Sequence, residues 1–254
     1  MDNIFDSHAH YDDEAFNEDR EEVIQKIQNA GVKRVLNCSS SVKSMYTTLE
    51  LCKKYDFIYG AFGVHPEFAL DALQNKNKIG DILSEKKAKA VGEIGLDYYY
   101  EGYDRETQIK SFKEQMDLAR SFNLPVVIHS REAFEDTLNV IKEFKGVKGV
   151  LHCYSGSVEF AKEVLKCGYY LGFTGVITFK NAKKAIEVLK SLPKDKILVE
   201  TDCPYMTPEP NRGKRNDSSY LLHTLNKMSE VLNITYSEAA KLTFGNASEL
   251  FKIE

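Results

Sequence analysis

Five of the six histidines in this chain stand at or just past the end of an apolar run. His8 and His10 follow Ile4-Phe5 in Asp6-Ser7-His8-Ala9-His10. His65 follows Gly63-Val64, His129 follows Val126-Val127-Ile128, and His152 follows Val150-Leu151. Glu93 comes after Ala90-Val91-Gly92, and Asp202 lies just beyond Ile197-Leu198-Val199. Imidazoles and carboxylates are ligands for Zn²⁺ and Mn²⁺, and several of them together can build a hydrolytic metal centre if the fold makes them converge. Singly, each has a plainer explanation. A histidine that ends a strand is more often a hydrogen-bonded core residue, and a lone buried glutamate is more often paired with an arginine. The joint pattern favours metal, because the ligands come from several separate strand ends.

The elements that must position these groups alternate along the chain. Short apolar runs at 3–7, 33–38, 57–63, 89–93, 124–129, 147–152, 169–174 and 196–201 predict buried parallel strands. Helix-period segments at 18–30, 43–54, 78–87, 105–122, 132–145, 157–167 and 181–191 lie between them. Two more helices, 217–231 and 236–251, follow the last strand. Gly31 and Gly168 suit helix ends, Ser157 suits a helix start, and Thr235 with Glu238 has capping-box spacing. Pro125 opens a strand, where its missing N–H is tolerated. Eight strand–helix alternations within 254 residues predict one (β/α)₈ TIM barrel spanning 1–254, with the site at the C-terminal ends of the strands. The longest loops, 97–104 and 202–216, then fall on that active face. A doubly wound nucleotide-binding sheet is disfavoured, because the turn His8-Ala9-His10-Tyr11 has no glycine. On a barrel, the strand bearing Asp202 closes beside His8 and His10. Alternation along an extended segment puts those two histidines on one face.

Composition excludes several classes. The five cysteines are odd in number and form no C-x-x-C pair, which argues against a disulfide framework and a structural zinc knuckle. No segment is a leader or a membrane span, so the expected compartment is the cytoplasm, with no membrane and no obligate protein partner. A net charge of −4 is not that of a protein that coats nucleic acid. It is compatible with a nuclease whose cations supply the local positive charge. Arg212-Gly213-Lys214-Arg215 is the one basic cluster.

The blocks Asp6–His10, Gly63–Pro66, Gly92–Asp97, His129–Arg131, His152–Gly156, Glu200–Tyr205 and Pro208–Asn216 together resemble the signature blocks of the TatD family of metal-dependent deoxyribonucleases. Their order and spacing fit along the whole chain. The resemblance implies a TIM barrel of the amidohydrolase superfamily with two, and up to three, divalent ions (Zn²⁺, Mn²⁺ or Mg²⁺). Carried over by position, His8, His10, Glu93 and Asp202 would hold one ion. Glu93, His129 and His152 would hold a second, with Glu93 as the bridge. His65, Arg131 and Arg212 would contact substrate. The chain departs from the family at Asp217-Ser218, where Glu-Pro is frequent.

The expected chemistry is hydrolysis of DNA phosphodiesters, on single strands or at 3′ or 5′ ends. Asp202 is the general base, and Glu93 and His65 are the other catalytic candidates. Tyr98, Tyr99, Tyr100 and Tyr103 could stack bases or simply cover the barrel rim. The rival is an amidohydrolase or deacylase that cleaves a C–N or ester bond, including that of an aminoacyl-tRNA, since one barrel serves many reactions. A catalytically idle binding protein is a further alternative, and the intact ligand set argues against it. His223, inside a helix, is given no role.

Overall fold

Eight apolar runs form eight parallel strands in a computed structural model that describes residues 3–102 and 104–253. They are β1 (Ile4–Ala9), β2 (Val32–Cys38), β3 (Ile58–Ala61), β4 (Ala88–Asp97), β5 (Val126–Arg131), β6 (Gly149–Leu151), β7 (Tyr170–Phe173) and β8 (Ile197–Val199). Each pairs with the next in sequence order. The segment after β8 returns to β1: Asp202 N–H donates to the His8 carbonyl, and His10 N–H donates to that of Cys203, both at 2.9 Å. This nearly closes a (β/α)₈ barrel.

The helices are α1 (Arg20–Asn29), α2 (Val42–Lys54), α3 (Ala69–Gln74), α4 (Lys76–Leu83), α5 (Arg105–Phe122), α6 (Phe134–Glu143), α7 (Val158–Lys166), α8 (Lys183–Ser191), α9 (Leu221–Leu232) and α10 (Tyr236–Phe251). Gly31 and Gly168 take positive φ just past α1 and α7. Ser157 caps α7, and Thr235 with Glu238 forms the capping box of α10. The helix expected at 78–87 runs instead over Lys76–Leu83 (α4), and a further helix, α3, precedes it. Pro66 starts a 3-10 turn that leads into α3, and residues 84–87 are turn rather than helix. The helix expected from 217 begins at Leu221, after a 3-10 turn, Ser218–Tyr220. β4 runs on to Asp97, so part of the expected 97–104 loop is strand.

Alternation divides the strand residues between two apolar layers. Phe5, Leu36, Ala61, Ala90, Val127, Val150, Tyr170 and Leu198, one from each strand, share the barrel interior with Leu250 and Phe251 of α10. Their neighbours Val35, Val91, Ile128, Leu151, Leu171 and Val199 face the helices. The interior is thus filled side chain by side chain, as in a packed barrel rather than a pore. All five cysteines are free, and among the described residues no helix is long and apolar enough to cross a membrane.

Candidate metal centre

On β5 and β6 the site follows from simple alternation. Val127 points inward, Ile128 outward, and His129 inward again. Val150, Leu151 and His152 repeat the pattern. Past β8 the inward series continues from Leu198 through Glu200 to Asp202. Asp202 has φ 56°, a left-handed conformation uncommon outside glycine that marks a position fixed by its surroundings.

β1 and β4 need a further device. Phe5 faces the interior, so strict alternation would turn His8 and His10 toward the helices. The β1–β2 ladder slips register between Asp6 and Ala9, and Ala9 accordingly joins the outer layer. On β4, Ala90 faces inward, yet Ile94 and Leu96 face outward, because the β4–β5 ladder slips between Val91 and Ile94. Each bulge inverts the parity beyond it, which brings His8 and His10, and Glu93 and Asp97, onto the axis. Gly95 permits the close strand approach this requires: a Cβ there would lie 2.0 Å from the His129 carbonyl oxygen.

The result is a buried cluster of four imidazoles and three carboxylates, with a fifth imidazole, His65, at its edge. His8 Nε2 lies 2.9 Å from His10 Nε2, 3.4 Å from Glu93 Oε2 and 3.5 Å from Asp202 Oδ1. His10 Nε2 lies 3.5 and 3.4 Å from the same two carboxylate oxygens. A tetrahedral ion with bonds of about 2.0–2.1 Å has ligand–ligand edges of about 3.3–3.4 Å. These four atoms therefore have the spacing of one coordination shell. The other Glu93 oxygen, Oε1, lies 2.7 Å from His152 Nε2 and 3.0 Å from His129 Nδ1, and those nitrogens are 3.2 Å apart. Glu93 thus offers one oxygen to each of two adjacent donor sets, and the residues fit two divalent ions.

Neighbouring groups fix the rings. His10 Nδ1 donates to the Cys38 carbonyl at 2.7 Å, which leaves Nε2 for a ligand role. His129 Nε2 pairs with Asp97 Oδ2 at 3.0 Å and leaves Nδ1 for the second set. Burial disfavours charge on His10, but the hydrogen bond to Asp202 and the Glu93 charge raise its pKa to about 10. His129, also buried, is raised to about 9 by Asp97 and Glu93. Glu93 and Asp202 are held below the usual carboxylate range: burial opposes this, and the surrounding histidines outweigh it.

His65 stands apart. Its Nε2 is 4.0 Å from Glu93 Oε1, and its Nδ1 accepts from Glu67 N–H at 3.2 Å. Burial lowers its pKa to about 3, so the ring is neutral and Nε2 carries the hydrogen. Arg131 lies on the rim, its guanidinium 3.6 Å from the Tyr99 ring centroid and its Nη1 3.3 Å from Tyr100 Oη. Arg212 lies further round, 4.2 Å from the Phe179 centroid, and does not line the cleft above Glu93. Tyr99 and Tyr100 are exposed, whereas Tyr98 donates to Asp136 and packs on the core. Tyr103 lies outside the described residues. Asp97 and Glu200 received no role from the sequence. Glu200 is fully buried and accepts from Cys153 N–H at 2.5 Å, and burial lifts its pKa to about 8.

The model of the family described as TatD related DNase matches residues 5–252. This chain belongs to that family. As a TatD-family protein it is a metal-dependent hydrolase. YabD of Bacillus subtilis, an uncharacterised metal-dependent hydrolase, is 40% identical over 98% of this chain and 99% of its own length. YcfH of Escherichia coli K12, also an uncharacterised metal-dependent hydrolase, is 32% identical over 99% of this chain and 96% of its own. The crystal structure of YjjV, a TatD homologue from E. coli K12, superposes with a TM-score of 0.92 at 28% identity, covering 99% of this chain and 98% of that one. The departure from the family pattern at Asp217-Ser218 has a local account in this TatD-family chain. Asp217 caps the next turn and pairs with Lys26 at 2.6 Å. Ser218 Oγ donates to Asp6 Oδ2 at 2.6 Å, a bond proline could not make.

Proposed function

We propose that this protein hydrolyses phosphodiester bonds of DNA, acting as an exonuclease on single-stranded ends. The observation that carries this reading is the pair of donor sets bridged by Glu93 at the floor of a cleft of about 520 Å³, with exposed Tyr99 and Tyr100 and the stacked Arg131 beside it. Divalent ions held there would acidify a water and neutralise charge on a phosphate. His8, His10, Glu93 and Asp202 would hold one, and Glu93, His129 and His152 the other. The cleft also carries Asp12, Asp13 and Glu14, so without cations it would repel a phosphate.

The remaining steps fall to the chain's own groups. Asp202 stays ionised at neutral pH and accepts the proton of the attacking water. His65 offers a neutral Nε2–H to a phosphoryl oxygen. Arg131 supplies a fixed cation at the rim, and its stack with Tyr99 gives a flat surface for an unpaired base.

The test uses metal-stripped protein with 3′- and 5′-labelled single-stranded DNA, to which Mg²⁺, Mn²⁺ or Zn²⁺ is added separately. Shortening that depends on the metal supports the proposal, and the label gives the polarity. Asp202→Asn should retain its circular dichroism spectrum and lose about 10²–10⁴-fold in kcat. An active, folded variant would remove Asp202 from its role. No cleavage with any metal would move the activity to C–N or ester bonds, including aminoacyl-tRNA.

A further inference from the structure

We propose that a second, largely apolar pocket beside the metal centre holds the terminal nucleobase of a single strand and so fixes where the strand is cut. The inference rests on the phosphodiester reading and deepens it. The pocket, about 480 Å³, adjoins the first cleft at the donor sets and is lined by residues of the 3-10 turn Gly175–Thr178 and the start of α8. Arg131, His152 and Asp202 line both spaces, so the metal centre is the seam between them. A phosphodiester has two arms, and a phosphate at the seam would send one into each.

The wall chemistry indicates which arm this pocket takes. Phe173, Val176, Ile177, Phe179 and Ala182 give it an apolar surface, and the exposed Asn181 and Lys184 with Ser130, Ser155 and Thr174 add polar groups to its rim. A nucleobase has an apolar face and a rim of donors and acceptors, which matches that arrangement. An aliphatic acyl group would leave the polar edge unused. Phe179 is held by the Arg212 guanidinium 4.2 Å from its centroid. Arg212 thereby acquires a role in positioning the platform rather than in gripping phosphate. Pockets of about 300–1,000 Å³ enclose one small ligand. A terminal nucleoside falls in that class, and the other cleft, beside Tyr99 and Tyr100, would take the strand that leads to it.

The experiment compares a single strand ending in a normal nucleotide with the same strand ending in an abasic one, in the metal-loaded protein and in Phe179→Ala and Phe179→Trp. The wild type should favour the base-bearing end by about tenfold or more in kcat/KM. Phe179→Ala should lose about tenfold on that end and with it the preference, whereas Phe179→Trp keeps it. The chain has no tryptophan, so Phe179→Trp also provides a single indole reporter that needs no turnover. Deoxyadenosine monophosphate should quench it saturably, and deoxyribose 5-phosphate and N-acetylleucine amide should not. DNA cleavage with equal rates on both ends and no quenching would overturn the pocket alone. Stronger quenching by the leucine amide would overturn it in favour of an acyl group. If no strand is cut, the phosphodiester reading fails and takes the pocket's strand-end role with it, whatever the quenching shows.

Discussion

His10 and His129 are each placed against two carboxylates in the interior, and that placement has a consequence for pH. Their pKa values are raised to about 10 and about 9, so in the metal-free protein both carry a proton at neutral pH and balance the buried negative charge. The stabilisation these protons give is complete below the ordinary histidine pKa and is lost as pH rises through 9 and 10. A cation that binds His10 Nε2 or His129 Nδ1 must displace the proton there. Metal uptake should therefore release protons below pH 9, and affinity should rise with pH until it levels off near 9–10. Calorimetric titration with Mn²⁺ in two buffers of different ionisation enthalpy measures this. Net proton release at neutral pH is expected, and an affinity unchanged between acid and alkaline conditions would contradict it.

The strands explain how much of this was legible. His129, His152 and Asp202 could be placed from the sequence, because period-two alternation from Val127, Val150 and Leu198 carries through to them. His8, His10 and Glu93 were legible as ligand types but not in direction. Counted from Phe5 and Ala90 they would face the helices, and only the bulges on β1 and β4 turn them inward. A bulge leaves no mark in a hydrophobic pattern. Asp97 shares the parity of Glu93 and could have been found by extending β4 past Gly95. The pocket behind the site could not, since it is assembled from a 3-10 turn and a helix start. The same scale holds the barrel seam together. Buried Asp6 accepts from Thr201 N at 2.9 Å, from Thr201 Oγ1 at 2.6 Å and from Ser218 Oγ at 2.6 Å, tying β1 to the turn that carries Asp202. Asp6→Ala would orphan these donors. It should cost about 3 kcal/mol and about 6–12 °C in Tm. A thermal melt that leaves Tm unchanged would show that the seam does not depend on Asp6.

The whole molecule carries a net charge of −4, so on the proposed reading attraction to DNA would have to be local. Arg131, Lys43 and bound cations would supply it at one cleft, and Lys184 at the other. Contact with about two to four phosphates predicts a slope of log kcat/KM against log salt of about −1.5 to −3. A slope steeper than about −5 would require an extended backbone grip and would contradict local attraction. The barrel instead concentrates its recognition where the strands end, and there everything turns on one glutamate shared by two donor sets. The most direct test is a titration of metal-free protein with Mn²⁺ while cleavage of single-stranded DNA is followed. Activity should rise to a plateau at two equivalents per chain and be absent throughout in Glu93→Gln. A plateau at one equivalent, or full activity in the variant, would contradict the account.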